Sequence, residues 1–533
     1  MYDILIKNGM VIDGSGVPMF RADVAVKEGK IAAVGILASE TAELVYDADG
    51  CYVSPGFIDV NNHSDTYWEL FRSPGLPGML LQGVTTIVGG NSGASLAPLT
   101  RSEDIVAIQK WTDVAKVNFN WLSMSELLTE IGRRPLSVNF ATLAGHGTIR
   151  RSVLKSPTKK PDASDIEKMK RLLDQALRDG AIGLSTGLKY THSRLAEEAE
   201  LSELFASVVR EKMVHATYLR DEGEHLLDAV SEAIVSAKAA GMSLHISHLK
   251  AVGKRNWHLF EEALSSIRNA ATDGLDITFD VYPYTASGSV LYTLLPDWVT
   301  ESGRKTMLHR LKDFQVRQSV VRDMKANEYD YSEMRVSVST LSKMVAQKNV
   351  SEMATARGVA PEEVVIDVLL ASEGRAIVSL EVLSERNVEK AVQDPFSIIS
   401  SNGVGYPIEH EATGDMVHPR NFGTFPRIFS QYVREKKLLS WEEAVHKMTG
   451  KPAAKFHFMD RGLLRENFQA DIVVFDPDTI ADRSTMEIPY LYPDGIRMVV
   501  VNGIVAAHGG VWTGSRSGQL ILSKKRGPSF LFR

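Results

Sequence analysis

Apolar positions change rhythm along this chain. Both ends show the two-residue alternation of strands, while the middle alternates short apolar runs with stretches of helical period. At the N-terminus DILIKNG and MVIDGSG flank Asn8-Gly9, and ADVAVKEGKIAAVG bends at Glu28-Gly29. Near the C-terminus ADIVVFDP is followed by RMVVVNGIVAAHGG, with Asn502-Gly503 at the bend. Such dipeptides between alternating runs predict hairpins, because both central residues must take positive φ. The pattern predicts one small β domain built from both termini, residues 1–55 and 456–533.

The middle offers eight strand candidates: GFIDVNN (56–62), TTIVGGN (85–91), VNFATLA (138–144), GAIGLST (180–186), VHATYLR (214–220), SLHISHL (243–249), ITFDVYP (277–283) and FSIISSN (396–402). Amphipathic helices separate most of them. One is predicted from Ser164, with Glu167 three residues on as a capping box, and it stops at Gly180. Met169, Leu172, Leu173, Ala176 and Leu177 share its apolar face. Another runs from about Glu224 to Ala240 and stops at Gly241. Eight strands interleaved with helices predict an α/β fold, a (β/α)8 TIM-like barrel over residues 56–455. The seventh gap exceeds one helix, so a mainly helical insertion is predicted over about 290–355.

Composition narrows the partners. Sixty basic and 66 acidic residues give a net charge of −6 without long runs of one sign, which argues against nucleic acid and anionic membranes. One cysteine, Cys51, excludes a disulfide framework and a multi-cysteine zinc site, and fits a reducing cytoplasm. The first residues lack a basic start with an apolar core, and no apolar run reaches about 18 residues, so a soluble cytoplasmic protein is expected.

In such a barrel the functional groups sit at the C-terminal ends of the strands. Polar residues gather there: Asn61, Asn62, His63 and Asp65 after the first strand, Ser92 after the second, and His146 after the third. Tyr218 and Arg220 follow on the fifth, His248 and Lys250 on the sixth, Tyr282 and Tyr284 on the seventh, and Asn402 on the eighth. Strand parity places Asn61 with His63, Tyr218 with Arg220, and His248 with Lys250. It turns His245 toward the helices and separates His215 from Tyr218.

In order along the chain, PGFIDVNNHSD, GVTTIVGGNSG, GHGTIR, GLSTGLKY, ATYLRDEG, ISHLK, DVYPYTA, HPRNFGTFPR, MTGKPAAKF, DRGLLRENFQADIVVFDP and VNGIVAAHGG resemble the landmarks of the D-aminoacylase branch of the amidohydrolase superfamily. The resemblance implies a metal-bearing barrel, a β domain from both termini, and zinc-dependent hydrolysis of N-acylated D-amino acids. It also shows departures. The family's His-x-His after the first strand is Asn61-Asn62-His63 here, and its metal-binding cysteine aligns with Ser92. Its strand-5 histidine aligns with Tyr218, with His215 in the family's tyrosine position, and its catalytic aspartate aligns with Asn402. His63 and His248 remain, together with Lys250, whose family counterpart holds the substrate carboxylate, and with Arg220, Tyr190, Tyr284 and Arg420.

These losses shape the expected chemistry. A catalytic zinc wants three His, Cys or carboxylate ligands plus water. By lowering the pKa of that water from about 15.7 to about 7, it eases nucleophile formation by roughly 12 kcal/mol. Asn402 cannot take a proton from water. The expectation is therefore an enzyme with no cofactor favoured, in which His63 and His248 act as acid and base, Tyr218 as phenolic donor and Lys250 as cation. Tyr190, Arg220, Tyr284, Arg420, Ser92, Asn61 and Asn402 would bind a small carboxylate substrate. Retro-aldol, elimination or isomerisation next to a carbonyl is the expected reaction. Two alternatives stand beside it: a single-zinc N-acyl amino acid amidohydrolase using His63, His248 and Asp65, and a catalytically silent ligand-binding barrel.

Overall fold

The computed structural model describes residues 1–107, 119–156, 158–190, 192–300, 303–326, 329–339, 341–345 and 348–523. Parts of the expected insertion (301–302, 327–328, 340, 346–347) and the end of the expected β domain (524–533) lie outside the described residues.

The eight apolar runs form the barrel strands β1 (Phe57–Asp59), β2 (Val84–Gly89), β3 (Asn139–Thr142), β4 (Gly183–Gly187), β5 (Val214–Tyr218), β6 (Ser243–Ile246), β7 (Ile277–Val281) and β8 (Ser397–Ile399). All neighbours pair in parallel. Ala144–Gly145 carries the end of β3 onto β4, and an Asn62–Gly403 bridge closes the last strand onto the first. Side chains of Ile58, Val60, Val88, Ala141, Leu143, Ile182, Val214, Ala216 and Ile398 fill the interior, with Phe456 and Phe458 packed in the same cluster. The barrel is a packed core and not a pore. Phe57, Ile87, Leu184, Leu244, Ile246 and Phe279 instead belong to the larger core shared with the helices.

Helix α1 (Ala163–Asp179) is capped two residues earlier than predicted. Asp162 is its cap, exchanging bonds with Asp165, so the capping box uses a different acidic pair from Ser164 and Glu167. Helix α2 (Leu226–Ala240) ends at Gly241, whose φ of 65° suits a residue without Cβ.

A nine-stranded sheet draws its strands from residues 2–55 and 472–512. Glu28-Gly29 and Asn502-Gly503 make the expected hairpins, but Asn8-Gly9 does not. The strand Tyr2–Val11 runs through it with a register shift between Ile6 and Gly9. Asn8 takes φ 63°, its N–H donates to Asp23, and a Cβ on Gly9 would come within 2.4 Å of Val53. The dipeptide supplies positive φ for a bulge, not for a chain reversal. Asp471 joins this sheet to the barrel, accepting from Arg461 (2.5 Å), Asn139 of β3 (2.9 Å) and the Asn502 amide (2.8 Å).

The insertion holds several helices and also a three-stranded antiparallel sheet of Ala286–Val290, Ala376–Glu381 and Met334–Ser339. It is therefore wider and less helical than its sequence suggested, reaching to Glu381. This sheet stands over the barrel mouth. No described helix is long and apolar enough to cross a membrane.

Candidate active site

A cavity of about 60 Å3 opens where the strands end, and His63, Ser92, Tyr190, Tyr218, His248, Lys250, Asn402 and Arg420 line it. Eight of the eleven catalytic and binding candidates therefore meet at one place. Ser92 (φ 56°), His248 (φ 38°) and Asn402 (φ 46°) follow β2, β6 and β8 in the left-handed region. Each such residue costs about 1–3 kcal/mol and persists only where surrounding structure enforces it, as at ligand sites. Three of them around one cavity set it apart from the rest of the barrel.

Glu222 is the centre of the cluster, and the sequence reading missed it. Its buried carboxylate accepts from Lys250 Nζ at 2.5 Å and lies 3.1 Å from His248 Nδ1. Lys250 Nζ also sits 2.9 Å from His248 Nδ1 and 5.4 Å over the Tyr218 ring. Tyr218 packs edge-on against His248 and Tyr190, with centroids 4.5 and 5.3 Å apart. Burial, then the charge of Glu222, push the Tyr218 hydroxyl well above the usual phenol value, so it stays protonated. Burial and the Lys250 cation hold His248 below the ordinary imidazole value, which favours its neutral form. Despite desolvation, Lys250 and His248 keep Glu222 below the usual carboxylate range. The signal for it lay in the sequence ATYLRDEG, where an acidic residue four positions past Tyr218 can return to the strand end.

Across the cavity, His63 Nε2 lies 2.7 Å from Asn402 Oδ1. An amide oxygen only accepts, so the imidazole donates. Beneath them Asp59 accepts from Asn62 at 2.9 Å and from the Ser401 amide at 2.9 Å, tying β1 to β8. Burial pushes Asp59 up to about 6.

Three candidates lie elsewhere. Asn61 sits below the cavity, its amide donating to Asp280 at 3.3 Å while its Oδ1 is buried without a partner among the described residues. Arg220 turns outward, bonded to Glu232 at 2.7 Å and to the carbonyls of Arg194 (2.5 Å) and Ala196 (3.2 Å). Parity fails for it because β5 ends at Tyr218. Tyr284 lines a separate cavity with Arg427 and Asp482. His245, expected to face the helices, lies inside the barrel, with Nε2 2.9 Å from Asp280 and its ring against Phe456. Counting back from His248 misplaced it, because the chain leaves the strand after Ile246 and His248 takes a positive φ. His215 faces outward against Phe205, as parity requires.

Arg420, at the start of helix α3 (Arg420–Arg427), is unlike Lys250. Its guanidinium lies 5.1 Å over the Tyr282 ring, and Nη1 is buried with no hydrogen-bond partner among the described residues. A Cβ on Gly288 would stand 3.4 Å from this group, so the glycine keeps the approach open.

Residues 44–507 match the amidohydrolase family. The chain is 32% identical to a D-aminoacylase of Alcaligenes xylosoxydans xylosoxydans over 520 residues, 98% of this chain and 97% of that protein. An N-acyl-D-glutamate deacylase from Bordetella bronchiseptica, solved with zinc and a phosphonate inhibitor, is 29% identical with a TM-score of 0.82, covering 98% of this chain and 99% of that one. A D-aminoacylase studied for its binuclear metal center is 32% identical with a TM-score of 0.83, covering 98% and 100%.

These relatives correct two expectations. Zinc or a binuclear metal center in the solved structures overturns the expectation that no cofactor is favoured. Retro-aldol, elimination and isomerisation have no counterpart among relatives named as deacylases. The donors in this chain nonetheless do not fit a three-ligand zinc site. Among the described residues no three His, Cys, Asp or Glu side chains converge on one point. Asp65, the carboxylate offered for such a set, accepts from the amides of Gly90 (2.6 Å) and Thr66 (2.7 Å). The orphaned Asn61 oxygen is a neutral donor, weak for zinc.

Proposed function

The chain belongs to the amidohydrolase family, in its D-aminoacylase branch, and from that premise we propose that it hydrolyses the amide of a small N-acyl amino acid at the barrel mouth. The observation that carries this reading is the contrast between two cations on one cavity. Lys250 is neutralised by Glu222, whereas Arg420 offers a buried N–H with no acceptor among the described residues. The cavity therefore has one positive charge to spare, which suits a single carboxylate. A buried, charge-assisted bond of that kind contributes about 1.5–3 kcal/mol.

The remaining residues have definable tasks. Glu222 fixes Lys250 and the Nδ1 edge of His248. In the tautomer that donates Nδ1–H to Glu222, Nε2 of the neutral His248 carries the lone pair that accepts a proton; in the tautomer that accepts from Lys250 at Nδ1, Nε2 carries the hydrogen and donates. Across the cavity His63 donates its Nε2–H to Asn402, which fixes both side chains opposite His248. Tyr190 and Tyr218 wall the cavity.

The test is an assay of free amino acid released from N-acyl-D- and N-acyl-L-amino acids, run with added zinc and with chelator. Release that saturates with substrate, is lost in His248→Gln and shows a raised KM in Arg420→Met is the expected result. No release from any of them under either condition overturns the proposal.

A further inference from the structure

Away from the mouth, a cavity of about 370 Å3 lies between the insertion sheet, helix α3 and the segment 482–486. That volume falls within the range of about 300–1,000 Å3 usual for small-molecule sites. It stands back to back with the mouth: Ala286 and Pro419 line it, while the residues that follow them, Ser287 and Arg420, line the mouth. Its polar groups carry both signs. Arg427 lies 4.8 Å over the Tyr284 ring and donates from Nε to the Pro283 carbonyl (2.8 Å) and from Nη1 to Asp482 (2.9 Å). Its Nη2 has no hydrogen bond among the described residues. Arg483 is half exposed, its Nε 3.6 Å from Asp494, a contact too long for a hydrogen bond. Glu381 opposes these cations. It bonds to Thr285 and has no salt bridge among the described residues. Burial, then the charges of Glu333 and Glu385, push its carboxyl above the usual range, the mark of a carboxylate short of a counter-charge. Glu381 pairs in register with Ala286, and Tyr284 precedes Ala286 by two residues, at most about 7 Å along the chain. Carboxylate and guanidinium therefore stand at neighbouring points of one wall.

We infer that this cavity is a second ligand site, separate from the mouth, and that it takes a free α-amino acid as the zwitterion. Such a ligand carries its carboxylate and its ammonium on one carbon atom, so it needs N–H donors and an acceptor carboxylate side by side. Arg427 Nη2 and Arg483 supply the donors, and Glu381 supplies the acceptor. A simple anion would meet Glu381, and a simple cation would meet two guanidinium groups. An uncharged apolar ligand would strip water from all three and return no hydrogen bond. Ala286, Pro419 and Met486 give the same cavity an apolar side, which suits an aliphatic side chain. The site does not depend on amide hydrolysis at the mouth, although a free amino acid is also what that reaction releases.

Calorimetric titration of the full chain tests the site, with each enantiomer of leucine and with leucinamide and 4-methylpentanoate, which lack the carboxylate and the ammonium in turn. At least one enantiomer of leucine is expected to bind at millimolar concentration. Both controls should bind about 10–100-fold more weakly, because each forfeits charge-assisted bonds at one end. Glu381→Gln and Arg483→Met should each weaken leucine by about tenfold. Arg420→Met should leave it within about threefold, which separates this cavity from the mouth. Four results overturn the site: no binding of leucine, equal binding of leucine and both controls, wild-type affinity in both Glu381→Gln and Arg483→Met, or binding lost in Arg420→Met. Turnover is not part of the readout, so hydrolysis at the mouth and binding here fail or stand separately.

Discussion

Lys250 Nζ lies 2.5 Å from Glu222 Oε1, with both side chains at least nine-tenths buried. Two charges at that depth hold one another in place, and each is costly once the other is gone. Removing one partner of a buried pair typically costs about 3–5 kcal/mol, because the survivor is left uncompensated.

That cost makes Glu222→Gln informative. It should lower stability by about 3 kcal/mol, while Lys250→Met combined with Glu222→Gln should recover much of the loss. Urea denaturation of the two single variants and the double variant gives the coupling directly. Additive losses in the double variant would show that the pair is not the unit described.

Arg420→Met should raise KM for carboxylate-bearing substrates by about 10–100-fold, the equivalent of 1.5–3 kcal/mol. The matching carboxamide substrates should be affected little. Equal losses on both would assign Arg420 to the loop and not to the substrate.

Arg220 should behave differently, although it precedes the same cluster in sequence. Its bonds to Glu232 and two carbonyls give it a local structural role. Arg220→Ala should therefore cost about 1–2 kcal/mol of stability and leave kcat/KM within about twofold. A loss of turnover with stability intact would return Arg220 to the mouth.

Acid should weaken the fold through His215. Burial pushes this imidazole down to about 3, against about 6.5 in an unfolded chain. Between those values the unfolded state binds more protons. This contribution is therefore fully present above about pH 6.5 and is lost as pH falls toward 3, about 2 kcal/mol of it between pH 7 and pH 5. His215→Gln should flatten that part of the stability curve, measured as urea midpoints at the two pH values. Parallel curves for variant and wild type would contradict the assignment.

How much the sequence revealed depended on whether a residue lay within a regular element. All eight barrel strands were legible, because apolar runs bounded by glycine and polar residues fix them regardless of tertiary detail. His63, Tyr218, His248, Lys250 and Asn402 were legible because they stand at or just past strand ends. Side-chain direction became unreadable once the strand stopped. Arg220 lies two residues past β5 and turns outward, and His245 was misjudged because His248 leaves the strand with positive φ. Glu222 was hidden by its company, since an acidic residue in an RDEG run reads as solvated until Lys250 is seen to reach it. Asn8-Gly9 shows the same limit: the dipeptide requires positive φ, but only packing against Val53 decides between a turn and a bulge.

The most direct measurement of the central claim is turnover of an N-acetyl-D-amino acid in isotopically labelled water, with mass analysis of both products. Amide hydrolysis at this mouth predicts equal amounts of free amino acid and acetate, with one labelled oxygen in the acetate and none newly placed in the amino acid. Products lacking the label, or substrate recovered intact from a protein that binds it, would contradict the account.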